Sequence, residues 1–426
     1  MHHHVHPFRV DRAHATVATV DLTDDSAVRR WAASGLMHLT GPVTSSGWGP
    51  PAGLVPLLDS FAARIAAASE RLGARVEIDP LAVLADRAAF GGTTRHGRTS
   101  CGGGTRLLRA ADGWIALTLA RDDDLDLLPA WSEGALAADL VGGEHPWSHV
   151  ADWCAGQSAV RLVERGMLLG LAVARLGEHT APQGVVVERL GDAEPRPLAE
   201  TTVVDLSSLW SGPLCGMLLR TAGCRVVKVE SPRRPDGTRR GDRQFFDHLH
   251  AGSASVALDV ATPSGRDQLV DLLRRSDVVI EGSRPRALRH LGIDPHELLA
   301  TGPRVWVSIT GHGYHGPCAD RVGFGDDAAV AAGLVVGPPG DPCFCADAVA
   351  DPLTGLASAA AVFEALADGG RWHLDAALAA VASMAVGPTL PVPIGVRAQR
   401  PRRPVVTWCA RPLGADTERL LGASAR

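Results

Sequence analysis

The sequence predicts an α/β fold in which a Rossmann-like parallel-sheet domain is joined to a smaller α+β domain. Two observations carry this reading. From about residue 200 onward, short apolar runs alternate with amphipathic stretches, the pattern of a parallel sheet covered by helices on both faces. Before that point the clearest feature is a two-strand hairpin pattern beside a glycine-rich loop, which belongs to a different kind of unit.

In chain order, Leu54 to Leu72 is an Ala- and Leu-rich helix, followed by an expected strand at Ala74 to Ile78 and a helix from Leu81. Gly102-Gly103-Gly104 comes next, then a hairpin of Thr105 to Ala110 and Trp114 to Leu119 around Ala111-Asp112-Gly113. Helices are expected between Trp147 and Leu176, and a linker from Pro182 to Pro197. Val203-Val204-Asp205-Leu206 opens the second half as a strand. A turn through Ser211-Gly212-Pro213 leads to a helix from Leu214 to Thr221, which Gly223 ends. The segment Arg225 to Glu230, then Ser255 to Leu258, Asp277 to Ile280 and Arg304 to Ile309 read as further strands. The stretch from Ser264 to Arg275 reads as an amphipathic helix with Leu269, Leu272 and Leu273 on one face. A long apolar helix, Pro352 to Leu366, is stopped by Gly369-Gly370 and followed by a strand, Arg371 to Asp375, and a helix, Ala376 to Ala385. The expected divisions are residues 1–92, 93–190 and 198–426.

An internal repeat runs through this order. Ala33-Ser34-Gly35-Leu36, a helix, the stretch Arg75 to Asp79 and a second helix mirror Ala332-Gly333-Leu334, a helix, the stretch Trp372 to Asp375 and a helix. The earlier copy has no acid at the place of Asp351; Val55 or Pro56 falls there.

Composition bounds the function. At 426 residues and 46% apolar content the chain can bury two cores, and a net charge of -5 gives no reason to expect nucleic acid as a partner. No apolar run is long enough to span a bilayer, and the start MHHHVHPFRV lacks the apolar core of a signal peptide, so a cytoplasmic protein is expected. Its histidines read as part of a flexible terminus. The eight cysteines form no CxxC pair. Cys343 and Cys345, with His312 and His315 upstream, fit no structural zinc spacing, and no metal is expected.

The turn after the first strand of the second half, VVDLSSLWSGPLCGMLL, lacks the GxGxxG that a nicotinamide-binding turn needs. Glu230, at the end of the next strand, stands where a ribose-binding acid would. Asp351 immediately precedes a helix and is expected at its N-cap, a position that aspartate also takes for purely structural reasons. Asp326 and Asp327 are expected to begin another helix.

At this point the chain resembles a known family. The segments VVDLSSLWSGPLCGMLLRTAGCRVVKVESP, SVALDVATPSGRDQLVDLLRRSDVVIEGSRPRALRHLGI, RVWVSITGHGYHGP and ADPLTGLASAAAVFEAL, in that order, are similar to the family III CoA transferases, the group that includes formyl-CoA transferase and the α-methylacyl-CoA racemases. HGRTSCGGGTRLLRAADGWIALTL resembles the Gly-rich loop and hairpin of the family's small domain, which there follows the catalytic aspartate and here precedes it. The segment order is therefore rearranged.

The resemblance implies a CoA transferase acting on an acyl-CoA and a carboxylic acid, with coenzyme A as the bound group and an interlocked homodimer as the assembly. It makes Asp351 the nucleophile that forms a mixed anhydride with the acyl group. Gly103 and Gly104 become parts of a lid that keeps water off that anhydride, although a flexible turn is the plainer reading of the same glycines. Arg284, with Arg286 and His290, lies where the family's CoA-binding segment runs, and Trp210, Ser211, Glu230 and Arg234 are further candidates for contact with CoA. In the racemases a histidine base stands where this chain has Phe324, which favours transfer. Two alternatives stay open: an acyl-CoA isomerase using Asp351 with Asp326 or Asp327, and a non-catalytic acyl-CoA-binding or scaffold protein.

Overall fold

In a computed structural model, residues 25–136, 147–181 and 183–422 are described. The histidine-rich start and Pro182 lie outside them. The first part is helical: α1 (Asp25–Ser34), α2 (Leu54–Arg71) and α3 (Pro80–Gly91). The Asp79 carboxylate caps α3 by accepting the N–H groups of Leu81 and Ala82, and Pro80 supplies a preset first-turn φ. No strand forms at 74–78: the segment is extended and Val76 is buried, but its N–H donates to Ser69 Oγ at 2.9 Å.

The small unit follows. Strands β1 (Thr105–Ala110) and β2 (Gly113–Thr118) form the expected hairpin, and β3 (Ala172–Arg175) extends it to an antiparallel sheet of three. Helices α4 (Leu128–Trp131), α5 (Trp147–Ala155) and α6 (Ala159–Leu169) cover it, burying Trp131, Val150, Cys154 and Leu162 against Ile115 and Leu117. The helical expectation for 147–176 thus holds as far as Leu169, after which Gly170 turns the chain into β3.

The expected linker contributes a strand. β4 (Val186–Gly191) pairs antiparallel with β12 (Arg371–Ala377) and forms one edge of a seven-stranded sheet, so residues 186–190 join the large sheet and not the small unit. Its side chains are mostly exposed, as at a sheet edge, which hides the two-residue alternation that marks a half-buried strand.

The rest of that sheet is parallel. It is built from β5 (Thr202–Asp205), α7 (Ser211–Thr221), β6 (Arg225–Glu230), α8 (Arg243–His250), β7 (Ala254–Ala257), α9 (Pro263–Arg274) and β8 (Val278–Glu281). Then come α10 (Pro285–His290), α11 (Pro295–Thr301), β9 (Val305–Thr310), α12 (Gly325–Ala332) and the two-residue pair β10 (Val335–Val336) and β11 (Cys343–Phe344). Helix α13 (Ala350–Asp368), β12 and α14 (Leu378–Ser383) complete it. Strand order is β4-β12-β9-β8-β5-β6-β7. The strands are short apolar runs buried on both faces, as a covered parallel sheet requires.

Helix α13 is the centre of the larger core. Its small side chains are buried on nearly every face, and it packs on α2 and α7. Gly355 is required where α13 meets α7, because a Cβ there would lie 2.7 Å from the Ser211 carbonyl oxygen. Ion pairs Arg64–Glu364 at 2.7 Å and Arg71–Asp368 at 2.6 Å fasten α2 alongside α13, so the two helices of the internal repeat lie side by side. Among the described residues no helix is long and apolar enough to cross a membrane.

Candidate active site

The site forms where three parts of the chain meet at the carboxyl side of the large sheet, the usual ligand position in such folds. Asp351 lies in the first turn of α13, one residue inside it; the helix begins at Ala350 and Val349 occupies the N-cap. The expected N-cap is therefore corrected. The side chain is still within reach of the helix N-terminus, whose unpaired N–H groups favour negative charge.

The chain leading into α13 is strained. Ala346 has φ 56° and Ala348 φ 44°, both left-handed for residues with a Cβ. Two side chains brought from elsewhere hold this turn: Thr40 Oγ1 accepts the Ala346 N–H at 3.1 Å, and Asp326 Oδ1 accepts the Ala348 N–H at 3.0 Å. Strain of this kind, about 1–3 kcal/mol per residue, persists where the surroundings over-determine it and concentrates at functional sites.

Asp326 and Asp327 open α12, as expected, and both are buried. The small unit reaches them through a cross-strand pair. Thr105 and Thr118 are partners in the β1–β2 ladder, with hydroxyls 3.0 Å apart. Thr118 donates to Asp327 Oδ1 at 3.0 Å, and Thr105 Oγ1 lies 3.5 Å from Asp326 Oδ2. Asp327 Oδ1 also accepts the Phe324 N–H at 3.0 Å. Gly325, between Phe324 and the two acids, packs directly on the nucleophile candidate: a Cβ there would lie 2.8 Å from Asp351 Cγ and 2.4 Å from the Ala348 carbonyl oxygen.

Sequence reasoning missed Arg87. Its guanidinium grips Asp347 through two bonds, of 2.9 and 2.5 Å, and stacks 5.6 Å over the Trp210 ring. Burial works against its charge, but Asp347, Asp326 and Asp351 together hold it protonated more firmly than usual. No local motif marks it, since its partner lies 260 residues away. Asp347 is thereby assigned to the ion pair.

Burial pushes the Asp351 carboxyl up to about 7; Arg87 pulls the other way, while Asp326, Asp327 and Asp347 add repulsion. Burial likewise raises Asp326 to about 6, helped by Asp347 and opposed by Arg87, and Asp327 to about 7 against the pull of its two hydrogen bonds. Arg87 thus sits among three of the carboxylates and Arg321 acts on the fourth, Asp327, and burial still leaves Asp326, Asp327 and Asp351 resisting full ionisation near neutral pH.

The glycine-rich loop borders this cluster. Ser100 bonds Asp326 and closes the loop by accepting the Thr105 N–H, and Cys101 Sγ contacts the Ala346 carbonyl at 3.5 Å. A Cβ on Gly102 would lie 3.7 Å from the Arg87 guanidinium. Gly103 has φ 78° and open space where a Cβ would go, while a Cβ on Gly104 would stand 3.7 Å from the Leu119 carbonyl.

The arginine candidates converge. Arg284 caps α10 and is half-buried. Burial lowers its pKa, Arg286, Arg121 and Arg234 lower it further, and Asp320 opposes them, so three guanidinium groups act on Arg284. Arg121, from the small unit, is the member the sequence did not reveal; it donates to the Gly170 carbonyl at 2.7 Å and pairs with Asp124. Such a cluster gathers like charge that an anion would relieve. His290 is exposed one turn beyond Arg286 on the same face of α10.

Three other candidates are buried. Glu230 is buried, and its carboxylate accepts from Arg239 at 2.8 and 2.6 Å and from the Asp236 N–H at 3.0 Å, so it closes the loop after β6 and turns no free oxygen to a ligand. Trp210 is 2% exposed and packs edge-on against Phe245 with ring centroids 5.5 Å apart, so it underlies Arg87. Ser211 is buried in the first turn of α7, below the contact with Gly355.

Comparison with known proteins finds similarity to CoA transferases. The pattern of CoA-transferase family III matches residues 198–405. The succinate–glutarate CoA-transferase of Agrobacterium fabrum is 34% identical over 208 residues, which cover 44% of this chain and 52% of that protein. The succinyl-CoA–D-citramalate CoA-transferase of Chloroflexus aurantiacus is 32% identical over 148 residues, 33% of this chain and 37% of that protein. A CAIB/BAIF family protein from Brucella suis, known from its crystal structure, shares 32% identity over 45% of this chain and 55% of its own, with a TM-score of 0.40. The chain spans about half the length of the curated relatives it matches. The part of the chain that matches CoA-transferase family III, residues 198–405, is the large-sheet half that contains Asp351.

Proposed function

We propose that this chain transfers coenzyme A from an acyl-CoA thioester to a carboxylic acid through a mixed anhydride on Asp351. The observation that carries the reading is the placement of Asp351. It stands in the first turn of α13, partly exposed, against Gly325, beside Arg87 and next to the loop that contains Gly103 and Gly104.

A carboxylate oxygen of Asp351 attacks the thioester carbonyl and expels the CoA thiolate, forming the anhydride. The thiolate attacks the aspartyl carbonyl, releasing the donor acid and leaving Asp351 as a CoA thioester. The acceptor carboxylate attacks that thioester, and the freed thiolate then takes the acyl group from the new anhydride and restores Asp351. Arg87 and the helix N-terminus stabilise negative charge as it develops. Backbone N–H groups of the glycine loop face the anhydride, and the loop keeps water from it. Arg284, Arg286, Arg234 and Arg121 hold the phosphates of CoA, with His290 at the margin.

The small unit and the large sheet form this site within one chain, which fits the rearranged segment order; a homodimer in the cytoplasm completes the reading. An isomerase would need Asp326 or Asp327 as a free base. Asp326 is engaged by the Ala348 N–H, and Asp327 Oδ1 by Thr118 and the Phe324 N–H; Asp327 Oδ2 has no partner, so the isomerase reading is tested by solvent deuterium at the α-carbon without an acceptor acid. The reading of a scaffold without turnover predicts CoA binding alone.

Incubation with a panel of acyl-CoAs, followed by hydroxylamine and mass spectrometry of the chain, tests this. Dicarboxylates of the kind named in the relatives, succinate, glutarate and malate, come first. A hydroxamate at Asp351, absent from Asp351→Ala, is the expected result. Wild-type turnover in that variant overturns it, and so does CoA binding without any adduct or transfer.

A further inference from the structure

Away from the acidic cluster, the β4 edge of the large sheet gathers two imidazoles and a carboxylate. Glu188 on β4 and His373 on β12 are direct partners in the antiparallel ladder, so their side chains share one face. Helix α11 lies over that face and brings His296. The Asp294 carboxylate fixes the start of α11 by accepting the N–H groups of His296 at 2.8 Å and Glu297 at 3.4 Å. His296 Nε2 lies 3.2 Å from His373 Nδ1 and 3.4 Å from Glu188 Oε2, and His373 Nδ1 is 4.0 Å from the same oxygen.

Two of these three separations match the edge of a tetrahedron of ligands, and the third, 4.0 Å between His373 Nδ1 and Glu188, is closed by a small rotation of the half-exposed Glu188 side chain. Ligand bonds of about 2.0–2.1 Å to zinc at tetrahedral angles place donor atoms about 3.3 Å apart. The deeper ring is also oriented for the task. His373 is 2% exposed, and its Nε2 lies 3.1 Å from Ser308 Oγ. The Ser308 hydroxyl bonds Glu281, so its oxygen is free to accept the Nε2–H of His373. That leaves the Nδ1 lone pair turned toward His296 and Glu188. A carboxylate–hydroxyl–imidazole relay of this form fixes the tautomer of a metal-ligating histidine from its far side. The Tyr314 ring closes another side of His373, edge-on with centroids 4.8 Å apart.

We infer that Glu188, His296 and His373 form a binding site for a divalent cation of the zinc class, with a fourth position open to water. This site is absent from the sequence reading, which expected no metal and examined cysteines for one. Its three ligands come from β4, α11 and β12, so the ion ties the edge strand that leads out of the small unit to the body of the large sheet. The inference is independent of the transfer chemistry.

Cobalt titration of the full chain, followed by visible absorption, tests it. The terminal His2, His3, His4 and His6 are replaced by alanine in every sample, because a histidine run binds metal without a built site. One equivalent of cobalt with the intense visible bands of a four-coordinate centre is expected. His296→Ala should abolish that signal, and Glu188→Gln should weaken binding at least tenfold. Zinc should raise the melting temperature of the parent and leave that of His296→Ala unchanged. Both substituted side chains are about half exposed, at 42% and 50%, so the variants should fold. Unaltered cobalt stoichiometry and spectrum in His296→Ala overturns the site. No binding by the parent also overturns it, and the two rings then share only a hydrogen bond.

Discussion

The Asp326 carboxylate accepts the backbone N–H of Ala348 at 3.0 Å, and so holds in place a left-handed residue three positions before the nucleophile candidate. The acid acts on Asp351 through the backbone. Asp326→Ala should therefore lower transfer about 10- to 100-fold, the loss of one charge-assisted bond worth about 1.5–3 kcal/mol. Asp326→Asn, which keeps an acceptor oxygen, should recover most of it. Equal losses in the two variants would point to proton transfer by Asp326 instead; kcat with hydroxamate trapping separates the cases.

Gly325 leaves no room for a side chain beside Asp351. Gly325→Ala places a methyl group against the Ala348 carbonyl and the Asp351 carboxylate. The expected cost is about 1–3 kcal/mol in chemical denaturation, with a larger proportional loss of activity, because the displaced groups are the reacting ones. A variant of unaltered stability and rate would mean that the turn before α13 yields freely.

The charge state of Asp351 should show in pH profiles. Its carboxyl is raised to about 7 by burial, so the nucleophilic carboxylate is the minority form below that pH. The transfer rate should climb as pH rises through about 7 and then level off. Arg87→Leu removes the cation that pulls this value down and should move the rising limb to higher pH. The stability consequence has a fixed sign. A carboxyl raised on folding costs stability above its unfolded pKa, so the cost grows from about pH 4 to pH 7 and then saturates. Asp351→Asn should be more stable than the parent at pH 8, by on the order of 1–2 kcal/mol with solvent screening at the open side, and equal to it near pH 3.

Gly103 needs its left-handed φ but has empty space beside it. Gly103→Ala should cost only about 1 kcal/mol of backbone strain and leave the fold intact. If the loop shields the anhydride, the ratio of acyl-CoA hydrolysis to transfer should rise in this variant. An unchanged ratio would return the loop to the role of a plain turn.

Arg284 sits among like charges. Arg284→Ala should weaken CoA binding about tenfold at low salt and flatten its salt dependence. Arg121→Ala should do the same in part, although it lies in the small unit. Calorimetric titration of CoA checks both.

The sequence by itself determined the parallel-sheet half, because strands buried on both faces must be written as unbroken apolar runs between amphipathic helices. It also placed the β1–β2 hairpin, the helix ends at Gly223 and Gly369, and Asp351 at the head of a small-residue helix, all features set by local chain chemistry. Strand β4 escaped it because an exposed edge strand carries no alternation, and the stretch after α2 was misread because alternation of apolar and charged residues says nothing about whether a partner strand exists. Glu230, Trp210 and Ser211 sat at the expected strand and helix ends, but end position does not reveal which way a side chain faces. Only the tertiary structure decided that Arg87 belongs with Asp347 and Asp351, that Thr105 and Thr118 meet the acids of α12, that Arg121 joins Arg284, and that Glu188, His296 and His373 converge. Each of these pairings spans dozens to hundreds of residues, and chain separation leaves no periodic trace; what brings such groups together is the packing of whole layers, which no local pattern encodes.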